Sequence, residues 1–316
     1  MSPGRRLAGI TVLLSIPAGW LLAADGMSAR TERGVLSDSV LSVTDFGPLP
    51  PVLHESSGLA VSREHEGVFW SNNDSGDGPR LYAVDSTATL LRSFEVGGAD
   101  ARDWEALDLG VCPPGWETSS WCLYAGDIGD NTRGRSWVEV YVIPEPDPAD
   151  PAASAAALGS VRFAYPEQPY DAEALAVAPN GDLVITTKGY DPRIVLFRIP
   201  AAEVGDALSA GGVLSMGPPQ RLPFTADWVL GRTVTGGSLS QDGAVLALRT
   251  YTEVYFYTWP IDGSFVEAAP TCFLGALEPR GEAVAFLPDG RLLVSSESPG
   301  RAGHLLAIEC AGVGGR

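Results

Sequence analysis

Carboxylates recur in this chain at the points where apolar stretches begin. They read Asp103-Trp104-Glu105 and Asp171-Ala172-Glu173, and Glu282 opens a third such stretch. Residues two apart on a strand face the same way, so both acids of a pair are expected to point to one place. Hard oxygen donors gathered in this manner suit Ca2+, which accepts six to eight oxygens in loose geometry. They do not suit zinc or copper, which prefer nitrogen and sulfur. With three histidines and a single lysine, Lys188, the chain is poorly equipped for an imidazole-rich centre. "DSGD" at 74–77 and "DIGD" at 127–130 add further acids around a glycine that permits a sharp turn. The candidate metal ligands are therefore Glu55, Asp103, Glu105, Asp171, Glu173, Glu282, Asp127 and Asp130. A plainer role competes with this one: the same acids can bond backbone amides of a neighbouring element, or pair with the nearby Arg102, Arg232 and Arg280.

The elements that must position these residues are repeated. "EALAVAPNGDLVITTK" from Glu173 aligns without a gap with "EAVAFLPDGRLLVSSE" from Glu282, and units beginning at 57, 105 and 235 follow the same register. Each holds an apolar hairpin, three of them with turns at Asn180-Gly181, Asp242-Gly243 and Asp289-Gly290, a strong hairpin signal. Each also leaves room for a third and a fourth strand, except that the last unit lacks its fourth. "VLSVTDF" at 40–46 has no partner of its own, and supplying it to the last unit closes a ring and hides both sheet edges. The expected fold is all-β, a single five-bladed β-propeller spanning 40–310, with six blades as the alternative. "AAEVGDALSAGG" at 201–212 and the Ala-rich "PADPAASAAALG" read as inter-strand loops.

First strands of a propeller line its central channel, so their entrances converge on one face, here called the top. Second-strand ends and adjoining loops bring Asn73, Asp74, Lys188, Arg249 and Glu297 to the same face, and Arg280 stands at the fifth entrance. Trp104, Tyr190, Trp228 and Tyr251 are the aromatic candidates for stacking on a ligand there, although packing is the commoner use of such residues.

Composition narrows the partners. The 316 residues are 45% hydrophobic and carry a formal net charge of −18, which argues against nucleic acid and anionic membrane surfaces. Residues 1–24, with Arg5, Arg6 and an apolar run from Leu7 to Leu22, read as an export signal. An uncleaved N-terminal anchor is the alternative. Residues 25–39 read as a flexible leader and 311–316 as a disordered tail. The expected location is secreted or on the exterior of the cell envelope, without membrane attachment after cleavage. Four cysteines in an exported chain imply disulfides. Of the three pairings, Cys112–Cys122 with Cys272–Cys310 is favoured, because the first pair brackets a short loop. No Gly-rich loop ends in Lys-Ser/Thr, "HESSG" and "HEGVF" lack the second zincin histidine, and "GGSLS" lacks the last glycine of a nucleophile elbow, so those chemistries drop out.

"DAEALAVAPNGDLVITTK", "GEAVAFLPDGRLLVSSE" and "DWEALDLG" resemble the acidic strand-entrance motifs of the phytase-like propellers. That group takes in the β-propeller phytases, the esterase-like phytase domain family and the SdiA-regulated exported propellers. The resemblance implies a secreted propeller with Ca2+ near its axial face, Glu105, Glu173 and Glu282 as ligands, and Lys188, Arg249 or Arg280 contacting phosphate. The phytases have six blades and a fuller basic lining, and Thr233 and Thr235 break the acidic pattern here. The function expected first is thus a Ca2+-binding propeller whose top face binds a small molecule or a protein. The alternative is a Ca2+-dependent phosphoester hydrolase in which those three cations offset developing charge. A lactonase-type hydrolase built on Glu55, Asn73, Glu105 and Glu173 stands third.

Overall fold

The computed structural model describes residues 38–313 except 75, 117–118, 191–192, 276, 279 and 298–302. The expected export signal, nearly all of the expected leader and residues 314–316 of the expected tail lie outside the described residues.

Alternating apolar runs and Gly-containing turns build a succession of antiparallel meanders. The first strand, β1 (Val40–Pro48), does not pair with its neighbours in sequence. Blade 1 comprises β2 (Ser56–Val61), β3 (Val68–Asn73), β4 (Arg80–Asp85) and β5 (Leu90–Gly97). Blade 2 comprises β6 (Trp104–Val111), β7 (Trp121–Asp127) and β8 (Val138–Pro144), then, after the two-residue β9 (Ala155–Ala156), β10 (Gly159–Ala164). Blade 3 runs through β11 (Ala172–Val177), β12 (Leu183–Thr187) and β13 (Arg193–Ile199). It ends, after a helix α1 (Ala201–Ala210) and a short β14 (Val213–Ser215), in β15 (Gln220–Thr225). Blade 4 is β16 (Val234–Leu239), β17 (Val245–Thr250), β18 (Glu253–Thr258) and β19 (Glu267–Phe273). Blade 5 has β20 (Gly281–Phe286), β21 (Leu292–Ser296) and β22 (His304–Cys310), and β1 pairs antiparallel with β22 as its outer strand. The five sheets form a ring, a five-bladed β-propeller closed by its N-terminal strand. Two blades gain a parallel fifth strand on the rim, β9 beside β5 and β14 beside β10.

Apolar side chains that alternate along each strand leave both faces of every blade, and the core accordingly divides into five clusters, one per interface between neighbours. Trp70, Leu81, Leu107 and Leu123 meet between blades 1 and 2, for example, and Phe69, Leu59, Leu293 and Leu305 between blades 5 and 1. Tyr141, Phe197 and Phe256 are buried in these interfaces.

The segment 201–212 is a helix over Ala201–Ala210, not the loop that its composition suggests. Two contacts from outside the segment fix it. Asp182 Oδ1 accepts the Ala201 N–H at 2.8 Å at the start of the helix, and Val204 and Ala207 bury one face. Gly211, in the left-handed conformation at φ 69°, ends it.

Both favoured disulfides are present. Cys112–Cys122 straps the β6–β7 hairpin, while Cys272–Cys310 joins the outer strand of blade 4 to blade 5 beside the ring closure. They enclose 10 and 38 residues of sequence separation, so chain entropy predicts losses of about 3 and about 4 kcal/mol on removal. The Cys272→Ala/Cys310→Ala double variant is expected to be the less stable of the two in urea unfolding. An equal or reversed order would show that its strap does not constrain the chain.

Candidate functional site

Each inner strand opens with the same irregularity. In β2 the register skips from Ser56↔Asn73 to Gly58↔Asn72, and equivalent skips occur at Glu105, Glu173 and Thr235 and over Glu282–Ala283. These are β-bulges, which leave one residue unpaired and re-aim its side chain. Ser57, Glu105, Glu173, Thr235 and Glu282 therefore form one tier around the axis. The residue that comes after the partner of each strand start forms a second tier: Asp74, Ile128, Lys188, Tyr251 and Glu297. Main-chain bonds fix this tier to the strand entrances, from the Asp74, Lys188 and Glu297 amides to the carbonyls of Glu55, Asp171 and Arg280 at 2.9, 2.9 and 3.0 Å. Glu55, Asp103, Asp171, Thr233 and Arg280 each stand two residues before the bulge, with Asp171 and Thr233 buried.

The bulge acids are deeply buried: Glu105, Glu173 and Glu282 are 3%, 1% and 5% exposed. Burial, then the charges of Glu173, Asp74 and Asp103, raises the Glu105 pKa well above the usual carboxylate range. Burial also raises Glu173, with Lys188 opposing and Glu282 and Asp171 adding to it. Glu282 rises through burial and Glu297, against the pull of Lys188. Asp103 is pushed up to about 6 by burial and by Asp74, Asp171 and Asp127. Like charges thus crowd a low-dielectric space, a situation that a bound cation relieves.

Among the described residues, one group has the spacing of a cation site. Carboxylate oxygens of Asp74, Asp103 and Glu105 all lie within 4.8 Å of one another, and oxygens on a Ca2+ ion at about 2.4 Å can be at most about 4.8 Å apart. Gly129 makes this grouping possible. A Cβ at that position would stand 2.4 Å from Asp103 Oδ2 and 2.8 Å from Glu105 Cγ. Two further buried oxygens, Asp171 Oδ2 and Glu282 Oε2, have no hydrogen-bond partner among the described residues.

The other acids singled out by sequence are held by their own surroundings. Asp127 accepts from Arg135 at 2.6 Å and from the Arg102 amide at 3.0 Å. Asp130 accepts the amides of Gly134 and Arg135 at 3.0 and 2.8 Å, which shapes the loop after β7. The Asp130 amide in turn donates to Asp171 Oδ1 at 2.6 Å. Glu55 is half-buried beside His54. Asn73 bridges the Val52 carbonyl, Asp77 and the Glu55 amide.

Four of the named cations have a carboxylate partner, and Arg102 stands over the Trp137 ring at 5.3 Å. Lys188 Nζ donates to Glu173 Oε1. Arg249 is fully buried, donating to Glu278 and to the carbonyls of Ala283 and Ser295 at 2.7 and 3.1 Å. It lies where a side chain on residue 281 would be, which requires Gly281. Arg280 pairs with Glu297 at 3.2 Å on the exposed rim, and Arg232 pairs with Glu253 at 2.8 Å. Glu278 and Arg135, the partners of Arg249 and Asp127, lie in loops outside the repeated motif, so the repeat carried no signal for them.

Among the aromatics, Trp104 is buried, its Nε1 donating to the Asp100 carbonyl at 3.0 Å. Tyr251 is near the axis, where Glu282, Lys188 and Glu173 act on its hydroxyl after burial. Tyr190 and Trp228 are both partly exposed on the top face with ring centroids 5.0 Å apart, and Tyr190 donates to Asn131 at 2.7 Å. Beyond them the tip of the 227–232 loop presents Val229, 95% exposed. At the opposite end the channel narrows to a void of about 20 Å3 lined by all five inner strands, about the room one water needs.

No protein-family model matches the chain, and no curated protein matches it in sequence. Solved structures do. The PQQ-bound aldose sugar dehydrogenase from Streptomyces coelicolor is 14% identical, at a TM-score of 0.44, over 85% of this chain and 98% of that one. The putative glucose dehydrogenase from Thermus thermophilus is 12% identical, at 0.49, over 85% and 99%. A further glucose dehydrogenase structure is 14% identical, at 0.48, over 85% and 100%. Likeness at this level assigns no activity to the chain.

Proposed function

We propose that the protein is an exported Ca2+-binding propeller whose top axial face binds a ligand or partner. The observation that supports this reading is the Asp74–Asp103–Glu105 group, whose oxygens are spaced for one hard cation within an otherwise repulsive set of buried acids. Calcium held by Asp74, Asp103 and Glu105 would supply charge neutralisation there. The exposed Tyr190–Trp228 ring pair on the top face offers an apolar contact for whatever binds. Two disulfides suit an oxidising compartment. Binding is preferred to phosphoester hydrolysis because Lys188, Arg249 and Arg280, the cations such a reaction would need, are each engaged by a carboxylate.

Calorimetric titration of Ca2+ into chelator-stripped protein tests the metal. Saturable binding is expected, lost in Glu105→Gln and in Asp103→Asn. Absence of binding in the unmodified protein would sink the calcium reading and both metal-dependent hydrolases. The ligand face is tested by thermal-shift screening of small molecules in calcium. Hits that persist unchanged in Trp228→Ala would place binding elsewhere.

A further inference from the structure

Two of the five inner strands carry a hydroxyl residue and then a glycine at the bulge, Ser57-Gly58 in β2 and Thr235-Gly236 in β16. The ladder partner of the glycine is polar in both, Asn72 and Arg249. In each case the hydroxyl and the polar side chain cross the seam to the next blade and donate to main-chain carbonyls where its inner strand begins. Ser57 Oγ donates to the Glu105 carbonyl and Asn72 Nδ2 to the Trp104 carbonyl, both at 2.9 Å. Thr235 Oγ1 donates to the Gly281 and Glu282 carbonyls at 2.9 and 3.1 Å, and Arg249 to the Ala283 carbonyl at 2.7 Å. The glycines leave room for this approach. A Cβ on Gly58 would stand 2.2 Å from Asn72 Oδ1, and one on Gly236 2.6 Å from the Glu282 carbonyl oxygen. The other three bulges read Glu105-Ala106, Glu173-Ala174 and Glu282-Ala283, with no such hydroxyl.

We infer that Ser57 and Asn72 are positioning residues for the Asp74–Asp103–Glu105 group, a clamp that holds its oxygens at the spacing of one cation. This inference rests on the calcium reading given above. The clamp joins the two blades that build the group: Asp74 belongs to blade 1, where its amide is fixed to the Glu55 carbonyl at 2.9 Å, and Asp103 and Glu105 open blade 2. Trp104 lies between the two acids of blade 2, so the orientation of its carbonyl and of the Glu105 carbonyl sets where both carboxylates point. Ser57 Oγ also lies 3.2 Å from Glu105 Oε2, which ties down the side chain as well as the main chain. Ser57 and Asn72 are 2% and 0% exposed, so water does not compete for these bonds. Groups that orient a metal ligand in this way are commonly worth about 10- to 100-fold in metal affinity. The Thr235–Arg249 clamp closes on the Glu282 segment, outside the cation group, and so provides a control within the same ring.

The test compares calcium affinity with cation-free stability. Ca2+ is titrated calorimetrically into chelator-stripped wild type, Ser57→Ala, Asn72→Ala, Ser57→Thr and Thr235→Ala, and each is unfolded in urea without calcium. Ser57→Ala and Asn72→Ala are expected to bind Ca2+ about 10- to 100-fold more weakly at an unchanged number of ions per chain. Either one serves if the other does not fold. Ser57→Thr is expected to keep the wild-type affinity, since Thr235 makes the same bond at the equivalent bulge. Thr235→Ala is expected to lose stability and to keep its calcium affinity. Wild-type affinity in both Ser57→Ala and Asn72→Ala overturns the positioning role and leaves the calcium reading standing. Equal weakening in Thr235→Ala, or in Ser57→Thr, also overturns it, because the loss would then follow the packing of the ring and not this clamp. No binding in wild type overturns the calcium reading and the inference together.

Discussion

A chain beginning at residue 49, without β1, is expected to lose cooperative thermal unfolding and to self-associate. β1 pairs with β22 from Val40↔Cys310 to Pro48↔His304, so its removal exposes a full edge of backbone donors and acceptors on blade 5. It also takes away Val40 from the cluster between blades 4 and 5 and the Phe46 ring stacked on Phe69 at 6.0 Å. The Cys272–Cys310 strap survives the truncation. A monomer with an undiminished, sharp transition in scanning calorimetry would therefore mean that the disulfide alone closes the ring. Adding a synthetic 38–48 peptide is expected to restore monomeric protein.

Cation-free protein is expected to become more stable as pH is lowered from 8 to 5, the reverse of ordinary acid denaturation. The sign comes from the direction of the shifts. Asp103 is raised to about 6 and Asp108, buried near the bottom of the channel, to about 7, in both cases first by burial. Glu105, Glu173 and Glu282 are raised too. The folded state thus holds more protons than the unfolded chain between about pH 4 and pH 7, and stability falls as pH rises through that window. Calcium should cancel the trend at pH 7–8, and its benefit should fade as Asp103 takes up its proton below about pH 6. Glu105→Gln isolates the effect, since its amide oxygen can still accept from Ser57, which lies 3.2 Å from Glu105 Oε2. Relief of one crowded charge should stabilise the cation-free variant at pH 8 while abolishing calcium binding. Destabilisation at pH 8 would show that Glu105 serves the ladder and not the cation.

The repeat was legible because hairpin turns and apolar alternation are local. The units aligned from residues 57, 105, 173, 235 and 282 begin at the bulges. The bulge itself was not legible, since one extra residue in a strand looks like any other. Burial and pairing are also non-local. Asp127 and Asp103 look alike in sequence, but only the structure gives Asp127 to Arg135 and brings Asp103 beside Asp74. Arg249 looked available for an anion until Glu278, far from it in the motif, closed around it. The helix 201–210 was hidden for a related reason, since its first amide is held by Asp182 from a preceding hairpin.

The bulge separates what the axis does from what holds the blades together. Its residue has no partner in the ladder, so its identity is free of the pairing rules that govern the rest of the strand. The ring behaves as five sockets that accept different plugs: three carry glutamate, and two carry the hydroxyls of Ser57 and Thr235. Exchanging the three glutamates alone would move the axis from an acid-rich to a neutral lining without rewriting any strand. Divergence in this scaffold can therefore run through a handful of codons, with the propeller itself as a constant.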